Sequence, residues 1–147
     1  MAQTRQRKSL SRLRRAPLVL EAFCFLTVAR FAIALLPFSW IAGKIAVPRS
    51  IQPVDTEDAI KDVCNAIGTA VRRLMPSAVC LPQALAGHWM LYRRGIPSAV
   101  CFGARRDAAA GLQAHAWLRA GGRAVLGEKT VAGFTPLVHY PMIDLPR

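Results

Sequence analysis

The apolar stretch over residues 17–47 lacks a long run without charge. Glu21, Arg30 and Lys44 interrupt it, and its longest charge-free run, residues 31–43, has thirteen residues. A helix that spans a membrane needs about 20 apolar residues, so we expect this stretch not to span one. No small-residue cleavage pattern closes it, which argues against a secretory signal peptide. A helix that lies on a membrane or packs against a partner remains compatible with the pattern.

Acidic residues are also scarce. The 147 residues include 20 Lys and Arg but only 8 Asp and Glu, which gives a net charge of +12. Residues 1–15 contain no acid and six basic side chains, namely Arg5, Arg7, Lys8, Arg12, Arg14 and Arg15. Such a segment is either a solvated terminus or a site for an anionic membrane, an acidic peptide or nucleic acid. Nucleic acid is the least favoured of these, because the sequence has no RNA-binding or helix-turn-helix signature.

The four cysteines, at positions 24, 64, 80 and 101, form no CxxC pair and have no spacing typical of metal ligands. A disulfide scaffold is not expected in a chain in which 53% of the residues are hydrophobic. We therefore predict a reducing, cytoplasmic location, with membrane association left open, and no metal or other cofactor bound by this chain. Three of the four cysteines are expected to be ordinary small hydrophobic residues.

The hydrophobic pattern predicts helices first and antiparallel strands after them. Helical patterns fill most of the chain up to Arg94, whereas residue types alternate after Pro97. The predicted fold class is therefore α+β. The predicted helices cover 18–36, 38–47, 56–74 and 80–94, the predicted strands cover 98–103, 113–119, 123–126 and 134–137, and residues 105–111 are predicted to form a loop.

Cys80 is the first candidate for chemistry, because it opens a predicted helix shortly after the break at Pro76. Unpaired backbone N–H groups and the positive end of the helix favour a thiolate there. The same groups can donate to an oxyanion beside the sulfur, and Gln83, one turn later, is a second candidate donor. Position alone does not identify a nucleophile, since most free cysteines are inert buried residues.

His115 lies in the middle of a predicted strand. Gln113, Trp117 and Arg119 share its face, which is polar and aromatic, as expected of a strand that lines a cleft, while the other face is apolar. Trp117 is therefore a candidate substrate contact. A single strand histidine is usually a half-buried packing residue. A cysteine at a helix start followed by a histidine on an antiparallel strand is instead typical of Cys–His catalysis, in which the base holds the thiolate and later protonates the leaving amine.

An acid that orients the imidazole is predicted from the hairpin at residues 121–122. Counting outwards from a two-residue turn, Trp117 faces Leu126. Two residues further out, His115 faces Glu128, and opposed Cβ atoms lie about 4.5–5.5 Å apart. Glu128 is therefore the best-placed acid. A one-residue bulge would move it off register and leave it as an exposed loop carboxylate.

Five segments, taken in order, carry a resemblance to a known family. They are Cys80-Leu-Pro-Gln-Ala-Leu-Ala, Leu91-Tyr-Arg-Arg-Gly-Ile-Pro, Phe102-Gly103, Ala114-His-Ala-Trp-Leu and Phe134-Thr-Pro-Leu. Together they resemble the lasso-peptide leader peptidases, the stand-alone peptidase half of the maturation B protein, within the transglutaminase-like superfamily. The resemblance covers residues 75–137 well, and residues 18–74 are similar only in general character.

The resemblance implies N-terminal helices followed by a papain- or transglutaminase-like core, with the catalytic cysteine at a helix start packed on a small antiparallel sheet. The family's nucleophile corresponds to Cys80 and its histidine to His115. Its acid falls on Gly127, which has no side chain to serve, so Glu128 is the expected substitute. The chain then divides into a basic disordered terminus (1–15), an apolar helical docking region (16–54) and the peptidase core (55–147).

The implied activity is removal of the leader from a ribosomally made lasso-peptide precursor. The implied partners are that precursor, a separate leader-recognition protein and an asparagine-synthetase-like cyclase that closes a macrolactam ring with ATP. ATP therefore matters at most to the complex. Two alternatives stay open: an inactive scaffold that keeps the fold, motivated by Gly127, and a membrane-surface adaptor that acts through the basic terminus and the apolar helices.

Overall fold

A computed structural model describes residues 2–45, 56–77, 79–127 and 132–141. Within these ranges, helices come first and strands after them, which confirms the α+β class. The elements are α1 (Ala2–Leu35), α2 (Phe38–Ala42), α3 (Thr56–Leu74), α4 (Cys80–Arg93), β1 (Ser98–Asp107), β2 (Gly111–Ala120), β3 (Arg123–Leu126) and β4 (Thr135–Tyr140).

Helix α4 begins and ends close to where the sequence predicts. It starts at Cys80, and the proline two residues later fits the first turn, where its missing N–H costs nothing. At the other end, the Gly95 N–H donates to the Tyr92 carbonyl and the Ile96 N–H donates to the Leu91 carbonyl. These two hydrogen bonds form a Schellman motif, which closes the helix.

Helix α1 is longer than predicted. It runs without interruption from Ala2, so Pro17 lies inside it instead of in its first turn. A proline removes one backbone hydrogen bond, but the turns after it are held by tertiary packing, with Ala22 and Leu26 fully buried. Helix α2 is shorter than predicted and ends at Ala42. The predicted end of that helix, at residue 47, lies outside the described residues.

The residues from Ala16 to Leu35 form a 20-residue segment with a mean hydropathy of 2.1, long and apolar enough to cross a membrane by length and composition. A helix packed on a protein core can meet the same test of length and composition, so the expectation that this stretch does not span a membrane stays a prediction. The segment meets the test because its mean hydropathy stays high despite two charged residues, Glu21 and Arg30. Both charged side chains have hydrogen-bond partners in the molecule. Glu21 binds Arg94, and Arg30 donates to Ser77.

The four strands form one antiparallel sheet in the order β3-β2-β1-β4. The predicted loop at 105–111 is wrong, because β1 stays paired with β2 as far as Asp107, opposite Gly111. The turn is confined to residues 108–110, where the Asp107 carboxylate accepts from the Ala109 and Ala110 N–H groups at 2.9 Å. Residue type suggested a loop, but the neighbouring strand supplies the backbone partners that make this segment a strand.

Helix α4 packs directly on the sheet at Gly87. A Cβ at this position would lie 2.7 Å from terminal carbons of Leu118 and Leu126, so any other residue would force these two side chains to shift. Helices α1 and α3 pack around α4 on the same side of the sheet. The core is made of apolar side chains from all these elements, including Leu26, Ile60, Ile67, Leu85, Met90, Leu91, Val100 and Leu118.

Candidate active site

Cys80 is the first residue of α4 and is half-buried. Val79 precedes it in an extended conformation and makes no side-chain capping hydrogen bond. Valine has no side-chain acceptor, so the N-cap position itself supplies none of the side-chain capping that a serine or aspartate would provide. The positive end of the helix and its first-turn donors lie at the residue itself, where they can stabilise an oxyanion formed on a substrate bound at Cys80.

The other cysteines lie in different surroundings. Burial raises the pKa of both Cys64 and Cys101 to about 11, so both are protonated thiols at neutral pH. They behave as the small hydrophobic residues predicted for them. Cys24 is exposed on α1. Of the four, only Cys80 opens a helix.

Aromatic rings and a backbone carbonyl surround His115 in β2. Its ring stacks on Trp117, with centroids 6.1 Å apart, and contacts Phe134 at 5.2 Å. Its Nε2 lies 3.4 Å from the Gly127 carbonyl oxygen. The Arg105 guanidinium covers the Phe134 ring at 4.8 Å. Sequence reasoning missed Phe134 as a contact of His115 and Arg105 as a contact of Phe134, because the fold brings together residues that are distant in the chain.

Gly127 allows its own carbonyl to approach the imidazole. Its φ is +78°, and a Cβ would lie 3.2 Å from His115 Nε2 and 3.1 Å from the Trp117 Cβ. A side chain there would be strained and crowded. The resemblance had placed the family's acid at Gly127 and found no side chain to do its work. The structure has a carbonyl acceptor at that point, and when Nε2 carries the proton, Nδ1 is left with its lone pair.

The hairpin count behind Glu128 is wrong. The pairing next to the turn is as predicted, with Arg119 opposite Ala124, but the register then shifts and Leu118, not Trp117, faces Leu126. One extra residue in β3 produces this bulge, which changes every partner further out. Glu128 itself lies outside the described residues, so its role stays a prediction that the hairpin register no longer supports.

Cys80 and His115 stand at the same end of the layer formed by α4 and β2. A four-residue loop joins α4 to β1, and β1 is antiparallel to β2, so α4 and β2 run in the same direction. They touch where Gly87 meets Leu118. From that contact, the seven residues back to Cys80 and the three residues back to His115 each cover about 10 Å.

The two side chains reach this end from different sides. Cys80 precedes Gly87 by seven residues, which places both on the face of α4 that meets the sheet. Three residues separate His115 from Leu118, so alternation places these two side chains on opposite faces of β2. The structure therefore brings Cys80 and His115 to one level of the fold, with His115 making its contacts on the face turned away from α4.

Gln83 and Trp117 are the remaining candidates, and His88 and His139 are the other two histidines of the chain. Gln83 is half-buried one turn after Cys80. Trp117 is 3% exposed, so its ring supports His115 from beneath. His88 is buried, with its Nδ1 3.0 Å from the Ser98 hydroxyl, as expected of a packing residue. His139 is exposed on β4, opposite Cys101. The described residues contain no group of three His, Cys, Asp or Glu side chains that could hold a metal ion.

Residues 23–139 match a family model described as the transglutaminase-like superfamily. This chain belongs to that superfamily. The matched region contains Cys80 and His115 and extends from the apolar half of α1 almost to the end of β4. No curated protein and no solved structure gives a match. The transglutaminase-like superfamily includes cysteine peptidases, so membership agrees with Cys–His chemistry without naming a substrate.

Proposed function

We propose that this transglutaminase-like protein is a cysteine peptidase that removes the leader from a lasso-peptide precursor. The observation that carries the proposal is the position of Cys80 as the first residue of α4, with His115 on a following strand of the antiparallel sheet. The order of the five sequence segments supports the narrower substrate class.

The proposed reaction has two stages. The Cys80 sulfur attacks the carbonyl carbon of the peptide bond, and first-turn N–H groups of α4 stabilise the oxyanion. His115 takes the thiol proton on Nδ1 and gives it to the leaving amine as the C–N bond breaks. The leader then remains bound to Cys80 as a thioester. Water, deprotonated by His115, then releases the leader's carboxylate. For this exchange the imidazole has to approach the sulfur around the end of α4, and such contacts often tighten only when substrate binds.

The proposed partners are the precursor peptide, a separate leader-recognition protein and the asparagine-synthetase-like cyclase. The cleavage chemistry on Cys80 needs water and no ATP, so we expect ATP to serve the cyclase. Gly127 favours a second candidate, an inactive scaffold that holds the same partners, because the family's acid is absent at that position.

The test is a reconstituted reaction followed by mass spectrometry. Precursor and recognition protein are incubated with the wild type, with Cys80→Ala and with His115→Ala, each with and without ATP. We expect the wild type to release the leader in both conditions and both variants to leave the precursor intact. A wild type that binds precursor and recognition protein but leaves the precursor uncut would replace the peptidase with the scaffold.

A further inference from the structure

The outer face of α1 carries a continuous apolar stripe. Its side chains are spaced by four, four, three and four residues, which puts them on one side of the helix. Four of them are 63%, 55%, 62% and 76% exposed, in the order Leu20, Val28, Phe31 and Leu35, and exposed Cys24 lies between the first two. No charged residue belongs to this α1 stripe, which is about 22 Å long at 1.5 Å per residue.

The opposite face of α1 is fixed to the rest of the molecule. Ala22, Leu26 and Ala29 are fully buried in the core. Two Arg94 N–H groups bind the two Glu21 carboxylate oxygens at 3.1 and 2.7 Å. A helix that crossed a bilayer would have to give up this packing. A helix that lies flat on a bilayer keeps all of it and covers only the α1 stripe.

Positive charge and an interfacial aromatic side chain flank the α1 stripe. On its N-terminal side the same helix contains the six basic residues of segment 1–15, with no acid among them. On its C-terminal side, exposed Trp40 carries the Lys44 ammonium 5.1 Å from its ring centroid. An apolar face with cations at both ends complements an anionic lipid surface, where tryptophan and lysine anchor at headgroup level.

We propose that α1 is an interfacial helix that seats this protein on an anionic lipid bilayer, with the α1 stripe in the acyl boundary and segment 1–15 on the headgroups. Arg30 donates to Ser77 at 2.9 Å, so Ser77, three residues before Cys80, lies beside the C-terminal half of α1. A seated protein therefore holds its Cys80 end close to the membrane. This inference does not depend on the proposed peptidase activity, because it predicts binding alone.

The experiment is co-sedimentation with vesicles of phosphatidylcholine, with and without phosphatidylglycerol. The full chain should bind the vesicles that contain phosphatidylglycerol, and added salt should weaken that binding. Leu35→Glu should bind about tenfold less tightly. It removes one apolar side chain that the bilayer would bury, and it adds a charge of the same sign as the anionic headgroups. Leu112→Glu is the matched control, since Leu112 is also 76% exposed but lies on β2, and it should bind like the wild type.

Circular dichroism confirms that the variants are folded, and Phe31→Gln repeats the test if Leu35→Glu is not. Two results overturn the proposal. One is a wild type that stays in the supernatant with anionic vesicles. The other is an equal loss of binding for the α1-stripe variants and for Leu112→Glu. If the wild type does not bind vesicles but sediments as a dimer, and Phe31→Gln dissociates that dimer, the α1 stripe is instead a contact with a second copy of the chain.

Discussion

At the scale of single residues, the four cysteines differ in what surrounds each sulfur. Burial raises the pKa of the Cys64 and Cys101 thiols to about 11, against smaller opposing effects of Arg123 on the first and Arg119 on the second. Cys80 stands beside the N–H groups of a helix start. The thiolate is the reactive form of cysteine, so the surroundings, not the residue type, distinguish a nucleophile from a packing residue.

Alkylation should follow this difference. With iodoacetamide at neutral pH, we expect Cys80 and exposed Cys24 to be labelled first, and Cys64 and Cys101 to be labelled only on unfolding. Peptide mass spectrometry over time measures the order. In the cleavage assay, Ala in place of Cys24, Cys64 or Cys101 should retain activity, whereas Cys80→Ala should lose it with an unchanged melting temperature. A Cys80→Ala protein that cuts at the wild-type rate ends the nucleophile assignment.

Glu128 and the Gly127 carbonyl make different predictions for the imidazole. If the Glu128 carboxylate orients His115, Glu128→Gln should slow cleavage by about tenfold or more, and Glu128→Ala should be at least as severe. Replacing a buried triad acid lowers the rate of catalysis by up to roughly 10⁴-fold. Single-turnover rates measure this, with exposed Asp58→Asn as the control. Wild-type activity in Glu128→Ala would mean that a Cys–His dyad operates, with the Gly127 carbonyl holding Nε2.

At the scale of elements, the contact between α4 and β2 sets the position of the candidate site. Gly87 is buried against the sheet, where a Cβ would lie 2.7 Å from side-chain carbons of Leu118 and Leu126. Gly68 in α3 differs, since a Cβ there would meet only the Arg72 guanidinium at 3.2 Å. A side chain would therefore be crowded by the core at Gly87, whereas at Gly68 it would meet only one flexible arginine side chain.

Alanine at these two positions should change stability in opposite directions. Gly68→Ala should raise the free energy of unfolding by up to about 1 kcal/mol through helix propensity. Gly87→Ala gains the same propensity but overpacks the core, which costs about 1–3 kcal/mol, so a net loss is expected. Urea unfolding measures both. Stabilisation by Gly87→Ala would mean that the α4–β2 interface is looser than the structure has it.

At the scale of the whole molecule, Glu21 ties the first helix to the end of the last through ion pairs with Arg93 and Arg94. The hydrogen bonds from Arg94 hold the pKa of Glu21 below its usual range, against a smaller opposing effect of burial. A carboxyl group whose pKa is lowered by folding stabilises the fold above its unfolded pKa. That contribution is lost as the pH falls through the folded pKa. The link between α1 and α4 therefore weakens in acid.

Glu21→Gln should lower the free energy of unfolding at neutral pH by about 1.5 kcal/mol, because it removes a charged acceptor. The difference from the wild type should shrink as the pH falls below about 4.3, the ordinary pKa of a glutamate. Urea unfolding at several pH values measures it. Glu57→Gln is the control and should have little effect, since the Glu57–Arg123 pair is exposed. A pH-independent difference would contradict the ion-pair account.

Deletion of residues 2–15 should leave intrinsic catalysis intact, because Cys80 and His115 lie far along the chain and in other elements. We expect single-turnover cleavage at saturating partner to keep the wild-type rate. Association with a partner or membrane should weaken in a manner that depends on salt. Loss of single-turnover cleavage by the truncated protein would show that the basic segment takes part in the active fold.

Local chemistry accounts for what the sequence predicted well. The α4 boundaries follow from a proline-marked start and Gly95, and β3 follows from the glycine pair before it. Both signals act within a few residues. Helix α1 and strand β1 were both predicted too short. In β1, pairing with β2 as far as Asp107 overrides the local preference for a loop.

The sequence by itself determined the α+β order, the helix start at Cys80 and the strand face that carries His115, since periodicity, capping and alternation act over short distances. Only the tertiary structure decided the bulge in β3, the approach of the Gly127 carbonyl to the imidazole and which side of α1 remains uncovered. These depend on hydrogen bonds and packing between residues distant in the chain, and no local pattern encodes a register shift or the absence of a neighbour.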